Sequence, residues 1–149
     1  MFVNVSLEEI LPLFDKLSEE TPCLWGEMKA QRMVEHLTDT LRIACGENTQ
    51  ELLVPIEKLP TMIAFLESDK PMAKNIKVPF ALPNTALIHE ELALAIDEYV
   101  EVWMAFEELY ETTKDLTHQH AYYGPLNFEQ WKRLHSKHVT HHFTQFGLI

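Results

Sequence analysis

The end of the chain carries a group of histidines whose spacing could bind a metal ion. In the stretch WKRLHSKHVTHHFTQFG, His138 and His142 are four residues apart. On an α-helix this spacing places both imidazoles on one side, one turn apart, where two ring nitrogens can bind the same ion. This pair is where we expect the chemistry of the chain to begin.

Two further polar residues share the helix face of this pair. At 100° per residue, His135 and Gln145 fall with it in a sector of about 80°, whereas His141 lies outside that sector. A buried imidazole has two ring nitrogens to satisfy, so three inward histidines need partners. Those partners are either carboxylates and carbonyls of the core or a metal ion, and the sequence leaves both alternatives open.

A third nitrogen ligand could come from a different helix. His36, in QRMVEHLTDT, lies on the shoulder of an amphipathic stripe with Thr40 beside it. Alone, such a histidine is most often a polar residue at the rim of a core. Combined with a pair spaced by four residues, it describes a facial three-nitrogen site with open positions, which suits zinc, nickel or iron.

Other metal motifs do not fit the sequence. A di-iron bundle needs Glu-x-x-His, and none of the eight histidines has a glutamate three residues before it. The segment that begins at His89 resembles HExxH but has Ala93 in place of the second histidine. Asp115 with His118 and His120 could bind a metal ion at a surface loop, but we expect a solvated loop there. This loop leads to the histidine helix and could bring His120 or Tyr123 near the site opening.

The apolar spacing predicts four main helices, so a four-helix bundle is the simplest all-α architecture. The first begins in a capping-box pattern at Ser6 and is interrupted by Pro12, and the last begins at Asn127 with Gln130 three residues later. Gly46 is placed as a C-terminal cap of the second helix. The predicted spans are about 7–20, 29–45, 85–113 and from 127 onward.

The middle of the chain is rich in proline, with five of the eight prolines between Pro55 and Pro83. We expect loop and extended chain here, around one short helix near Pro60 to Leu66. Apolar residues alternate from Ile76 to Leu82, but Pro79 favours an extended segment lying over the helices rather than a strand. The pattern does not specify the path of residues 47–84.

Composition limits the class of protein. The 149 residues are 46% hydrophobic, which suits a single domain over residues 1–149. A net charge of −11 opposes binding to nucleic acid or to anionic membranes. No signal peptide or membrane span is recognisable, so we expect a soluble, cytoplasmic protein with two reduced cysteines. The long aromatic helix suits a core or a homodimer interface equally well.

Two segments resemble a known family. LWGEMKAQRMVEHLTDTLRIACG and YYGPLNFEQWKRLHSKHVTHHFTQFG are similar to the DinB-like superfamily of metal-dependent helical bundle proteins, whereas the proline-rich middle matches poorly. The resemblance implies an up-down-down-up four-helix bundle with a long loop between its second and third helices. It also implies a divalent metal held by His36, His138 and His142. Some members are transferases or isomerases in which the metal activates a low-molecular-weight thiol.

Two hypotheses from different classes follow. The first is a metal-dependent enzyme whose open three-histidine site, with zinc or nickel, activates water or a thiol for hydrolysis or thiol transfer on a small molecule. The second is a non-catalytic metal- or ligand-binding bundle in which the histidines are structural. The candidates to orient the ligand histidines are Glu35, Asp39 and Gln145. The residues expected beside the ligands or in a pocket are His135, Gln145, Thr40, His120 and Tyr123.

Overall fold

The computed structural model describes residues 1–149 and is mostly helical, as predicted, with five α-helices and one small sheet. A 3-10 turn at Ile56–Lys58 precedes the third helix. The elements are α1 (Leu7–Phe14), α2 (Ala30–Ala44), α3 (Leu59–Glu67), α4 (Leu92–Thr112), β1 (His118–His120), β2 (Gly124–Leu126) and α5 (Phe128–Gln145).

Helix α2 lies at the centre of the molecule. Thirteen of its 15 residues are buried, and it packs against α4, α5 and β1. It ends as predicted, with Gly46 at a φ of +80°, a conformation that glycine adopts at no steric cost. Because α2 is covered on nearly all sides, its polar residues point at neighbouring elements rather than at solvent.

One buried carboxylate of α2 shapes the start of the long helix. Glu35 accepts hydrogen bonds from the backbone amides of Ile88 and His89 at 2.9 and 3.1 Å. The amide of Leu92 donates to a carboxylate oxygen of Glu19 at 3.1 Å. The predicted helix start near residue 85 is therefore wrong, since these amides bind side chains of other elements and α4 begins only at Leu92.

The first and last helices start at their predicted caps. Ser6 accepts from the amide of Glu9, and Asn127 and Gln130 form a complete capping box. Helix α1 contains Pro12 but ends at Phe14, not near residue 20 as predicted. The largest fully buried side chains of the core are mainly aromatic: Phe14, Tyr99, Trp103, Phe106, Trp131 and Phe143.

The proline-rich middle folds against α5. The predicted short helix is confirmed as α3, and two cations of α5 bind the carbonyls at its end. Lys137 donates to the carbonyl oxygens of Phe65 and Lys70, and Arg133 donates to those of Leu66 and Ser68. These contacts fix the position of α3 on the histidine helix.

The prediction for residues 76–82 is confirmed, whereas the prediction for the segment before α5 is wrong. Residues 76–82 form no strand, in agreement with the expected extended segment. The segment before α5 was expected to be a loop, but β1 and β2 pair there as an antiparallel hairpin with His120 opposite Gly124. The hairpin buries His120. None of the helices combines the length and the apolar character that crossing a membrane requires.

Candidate metal centre

The three histidines singled out from the sequence meet between α2 and α5. Nε2 of His36 lies 2.8 Å from Nε2 of His138, which lies 3.1 Å from Nε2 of His142. His36 and His142 are buried, and His138 is half-buried. Their ligand atoms all lie within 4.8 Å of one another, so this group could hold a metal ion.

The geometry follows from the two helices. His138 and His142 stand one turn apart on α5, and His36 approaches from the facing side of α2. The ring planes of His36 and His138 are 87° apart, and those of His36 and His142 are 82° apart. The imidazoles therefore meet edge to face, and the three Nε2 atoms converge on one small region.

Gln145 fixes the proton of His142. Its Nε2 donates to the backbone carbonyl of Trp25 at 3.0 Å, and its Oε1 lies 2.7 Å from Nδ1 of His142. A carbonyl can only accept, so the amide NH2 faces Trp25 and the amide oxygen faces the ring. Nδ1 of His142 therefore carries the proton, and the lone pair of its Nε2 points at the other histidines.

The cluster has too few protons to satisfy itself. Burial is the main cause that lowers the pKa of His142 to about 4 and the pKa values of His36 and His138 well below their usual range. All three rings are then neutral near pH 7. If Nε2 of His138 carries a proton, it donates to one neighbour and has no lone pair for the other; if it carries none, its lone pair faces that of His142.

A divalent cation would bind all of these lone pairs at once. Zinc–nitrogen bonds of about 2.0–2.1 Å separate two nitrogens on one ion by about 3.0–3.4 Å, close to the 2.8 and 3.1 Å between His138 and its two neighbours. Nδ1 of His36 is buried and has no hydrogen-bond partner, so no neighbouring group orients that ring. The donor set therefore fits a divalent metal, with His142 the ligand that is held most firmly.

An apolar cavity of about 500 Å³ opens beside the three histidines, all of which line it. Its opposite walls come from α3 and from the extended segment that follows, which contribute Met62, Phe65, Ile76, Val78 and Phe80. The lining contains no aspartate, glutamate, lysine or arginine. A molecule in this cavity would therefore meet hydrocarbon and aromatic surface, and would reach the histidines without passing a charged group.

Most of the predicted pocket residues also line this cavity. Thr40 does so, and its hydroxyl donates to the carbonyl of His36 at 3.3 Å. His120 and Tyr123 reach it from the hairpin. His141, which the helical sector left out, lines it as well and packs edge-on against Trp25, with ring centroids 5.7 Å apart.

His135 belongs to the aromatic core rather than to this group. It stacks on Trp131 at 5.7 Å and packs edge-on against Phe106 at 5.0 Å. Burial lowers its pKa to about 3, and its Nε2 has no hydrogen-bond partner. It shares a face of α5 with the other histidines, but one turn earlier that face packs against aromatic rings.

Of Glu35, Asp39 and Gln145, which the sequence suggested as orienting groups, only Gln145 hydrogen-bonds the ring of a ligand histidine. Glu35 instead accepts hydrogen bonds from the backbone amides before α4, and Asp39 forms an ion pair with Arg32 at 3.2 Å. Which residues of the extended segment line the cavity could not be predicted, because such a segment has no helical period that would show which side chains share a face.

Searches against protein-family models, curated proteins and solved structures found no match to this chain. The similarity to the DinB-like superfamily therefore depends on the two sequence segments alone.

Proposed function

We propose that the protein is a metal-dependent enzyme in which His36, His138 and His142 hold one zinc or nickel ion. The reaction is hydrolysis or thiol transfer on a small molecule. The observation that carries this proposal is the convergence of three neutral Nε2 atoms at the wall of an apolar cavity. Three protein ligands leave coordination positions free, as catalytic sites require.

When bound, a divalent ion at such a site supplies Lewis acidity that lowers the pKa of a coordinated water or thiol toward neutrality. The chain's own residues orient the ligands and shape the cavity. Gln145 keeps the lone pair of His142 directed into the site. The apolar walls from α3 and the extended segment limit the access of bulk water, which strengthens electrostatic interactions inside.

The size of the cavity supports a small-molecule substrate. About 500 Å³ lies within the range of about 300–1,000 Å³ that is typical of ligand sites. The resemblance to the DinB-like superfamily supports a low-molecular-weight thiol as a second reactant and an up-down-down-up arrangement of α1, α2, α4 and α5. We include the thiol and this helix arrangement in the proposal.

One observation favours a second candidate, a non-catalytic metal site that stabilises the fold. The ligands come from two helices that are distant in sequence, and two of them are buried. An ion there would link α2 to α5, so the binding free energy would add directly to folding. A structural ion of this kind would lower the melting temperature sharply when it is removed.

Elemental analysis of the purified protein, beside turnover of small esters and of thiol plus electrophile, tests the proposal. The His138→Ala variant should lose the metal and the activity while keeping its helical circular dichroism. The matched control is His135→Phe on the same helix face, which should keep both. A folded His138→Ala protein with full turnover would contradict the enzyme hypothesis.

The effect of a chelator separates the two candidates. An exchangeable metal whose removal abolishes turnover but shifts melting only modestly supports the enzyme. A metal without associated turnover, whose removal unfolds the protein, supports the structural site.

A further inference from the structure

His120 has a ring nitrogen that the protein leaves free. It lies on the hairpin, where its Nδ1 accepts a hydrogen bond from the backbone amide of Tyr122 at 3.1 Å. The neutral ring therefore carries its proton on Nε2. The residue is only 7% exposed and lines the cavity, yet this Nε2–H makes no hydrogen bond within the protein.

The Nε2–H is accessible from the cavity and is not enclosed by protein atoms, so its hydrogen-bond partner is water or a bound ligand. Because His120 lines a cavity large enough for a ligand, its Nε2–H is placed to donate to whatever occupies that space.

The remaining surface of the cavity defines the rest of the ligand. Methionine, aromatic and aliphatic side chains dominate it, and methionine adapts to irregular apolar shapes. A charged ligand would lose its hydration and find no oppositely charged side chain among the lining residues. An uncharged molecule with a large apolar part matches this surface.

We propose that the substrate is an apolar molecule with a carbonyl group, whose oxygen accepts a hydrogen bond from Nε2–H of His120. Its hydrocarbon part packs against Met62, Phe65 and Phe80. A carbonyl oxygen accepts this hydrogen bond and brings no donor that would itself need a partner. That the molecule is a substrate depends on the function proposed above, whereas its binding does not require the metal.

Straight-chain methyl ketones from 2-butanone to 2-decanone test the proposal. Their dissociation constants are measured by ligand-observed NMR with the metal-free and the zinc-loaded full-length protein. Affinity should rise about fourfold per methylene until the cavity is full. The matching 2-methyl-1-alkene has a CH2 group in place of the oxygen and leaves water more readily, so each affinity is divided by the compound's water-to-alkane partition coefficient. On this corrected scale the alkene should bind at least about 10-fold more weakly than the ketone. Affinity that is independent of chain length, or a corrected affinity that is equal for ketone and alkene, would overturn the proposal.

Two substitutions of His120 distinguish the role of its free Nε2 from that of Nδ1, which binds the amide of Tyr122. Asparagine at this position can still accept from the amide of Tyr122 but has no group where Nε2 lies, whereas glutamine places an N–H near that point. In His120→Asn the partition-corrected affinities of ketone and alkene should therefore be equal, and H120Q should recover part of the preference. An undiminished ketone preference in folded His120→Asn would contradict the assignment. If that variant does not fold, the wild-type series decides.

The failures of the two proposals are distinguishable. Ketone binding by a wild-type protein that takes up no zinc would leave the ligand class intact and remove the metal-dependent function. If the protein binds zinc but its affinity for ketones does not depend on their chain length, the ligand class is wrong and the metal-dependent function stands.

Discussion

Gln145 accepts a hydrogen bond from Nδ1 of His142 over 2.7 Å while its own amide group donates to the carbonyl of Trp25 over 3.0 Å. The backbone before α2 thus determines the orientation of the amide, and the amide determines which nitrogen of His142 is free. Gly26 follows Trp25 with a φ of +79°, and a Cβ there would lie 3.1 Å from Nε2 of Gln145. The turn is therefore packed closely against the residue that orients His142.

Replacing Gln145 should weaken metal binding. Leucine has nearly the same shape but accepts no hydrogen bond, so Gln145→Leu should lower zinc affinity about 10- to 100-fold, the usual effect of removing a group that orients a ligand histidine. Gln145→Glu keeps an acceptor for Nδ1 but loses the donor to the carbonyl of Trp25, so its zinc affinity should lie between those of the leucine variant and the wild-type protein. Competition with a chromogenic chelator measures both, and equal affinities for the leucine and wild-type proteins would show that the amide has no such role.

Zinc should raise the melting temperature through the three ligands. At a free zinc concentration of 100 times the Kd, binding to the native state adds about 2.7 kcal/mol to the free energy of unfolding. For a chain of this size that corresponds to roughly 5–10 °C. His36→Gln should abolish the increment, whereas the His135→Phe control should keep it. Differential scanning fluorimetry with and without zinc compares the three proteins, and the same increment in His36→Gln would argue against this ligand set.

Acid should destabilise the metal-free protein through His135. Burial lowers its folded-state pKa to about 3 from the ordinary value of 6.5, so the unfolded chain binds more protons between these values. The free energy of unfolding should therefore fall as the pH drops, by about 1.4 kcal/mol per pH unit for this group. His135→Phe removes the group, so its stability should fall less steeply. Urea unfolding of both proteins between pH 6.5 and about 4 measures the slopes, and parallel curves would refute the expectation.

Lys137 should be important for the stability of the fold because it holds the end of α3. It is 1% exposed and donates to carbonyls of Phe65 and Lys70. Lys137→Met keeps the hydrocarbon stem but leaves those carbonyls without their donor, which should cost roughly 1–3 kcal/mol. The control Lys132→Met removes a half-buried cation that lies 5.3 Å from the ring of Phe128, and should cost about 0.5 kcal/mol. Chemical unfolding measures both losses; a similar loss in the two variants would deny Lys137 this role.

The parts of the fold that local sequence determines were predictable. The capping box of Asn127 and Gln130 and the cap at Gly46 depend on residues within a few positions of each helix end. The pairing of His138 with His142 likewise follows from the helical period. The convergence of His36 on this pair was a hypothesis from the sequence, and the packing of α2 against α5 brings it about.

The parts that distant contacts determine were not predictable. The apolar period continues upstream of Leu92, yet the helix does not, since the carboxylates of Glu35 and Glu19 take the amides that would begin it. The hairpin around His120 joins segments of three residues each, too short to show a strand period. His141 reaches the cavity because the extended middle segment passes beside it, which no pattern on α5 records.

The three ligands belong to α2 and α5, whereas most of the wall facing them belongs to residues 62–81. Reactivity and selectivity are thus encoded in separate stretches of one chain. The middle stretch is anchored to α5 through side chains that bind its backbone carbonyls, a mode of attachment that makes few demands on the side chains of the stretch itself. Its sequence can therefore diverge, or be exchanged by design, and redirect the same three histidines to different molecules.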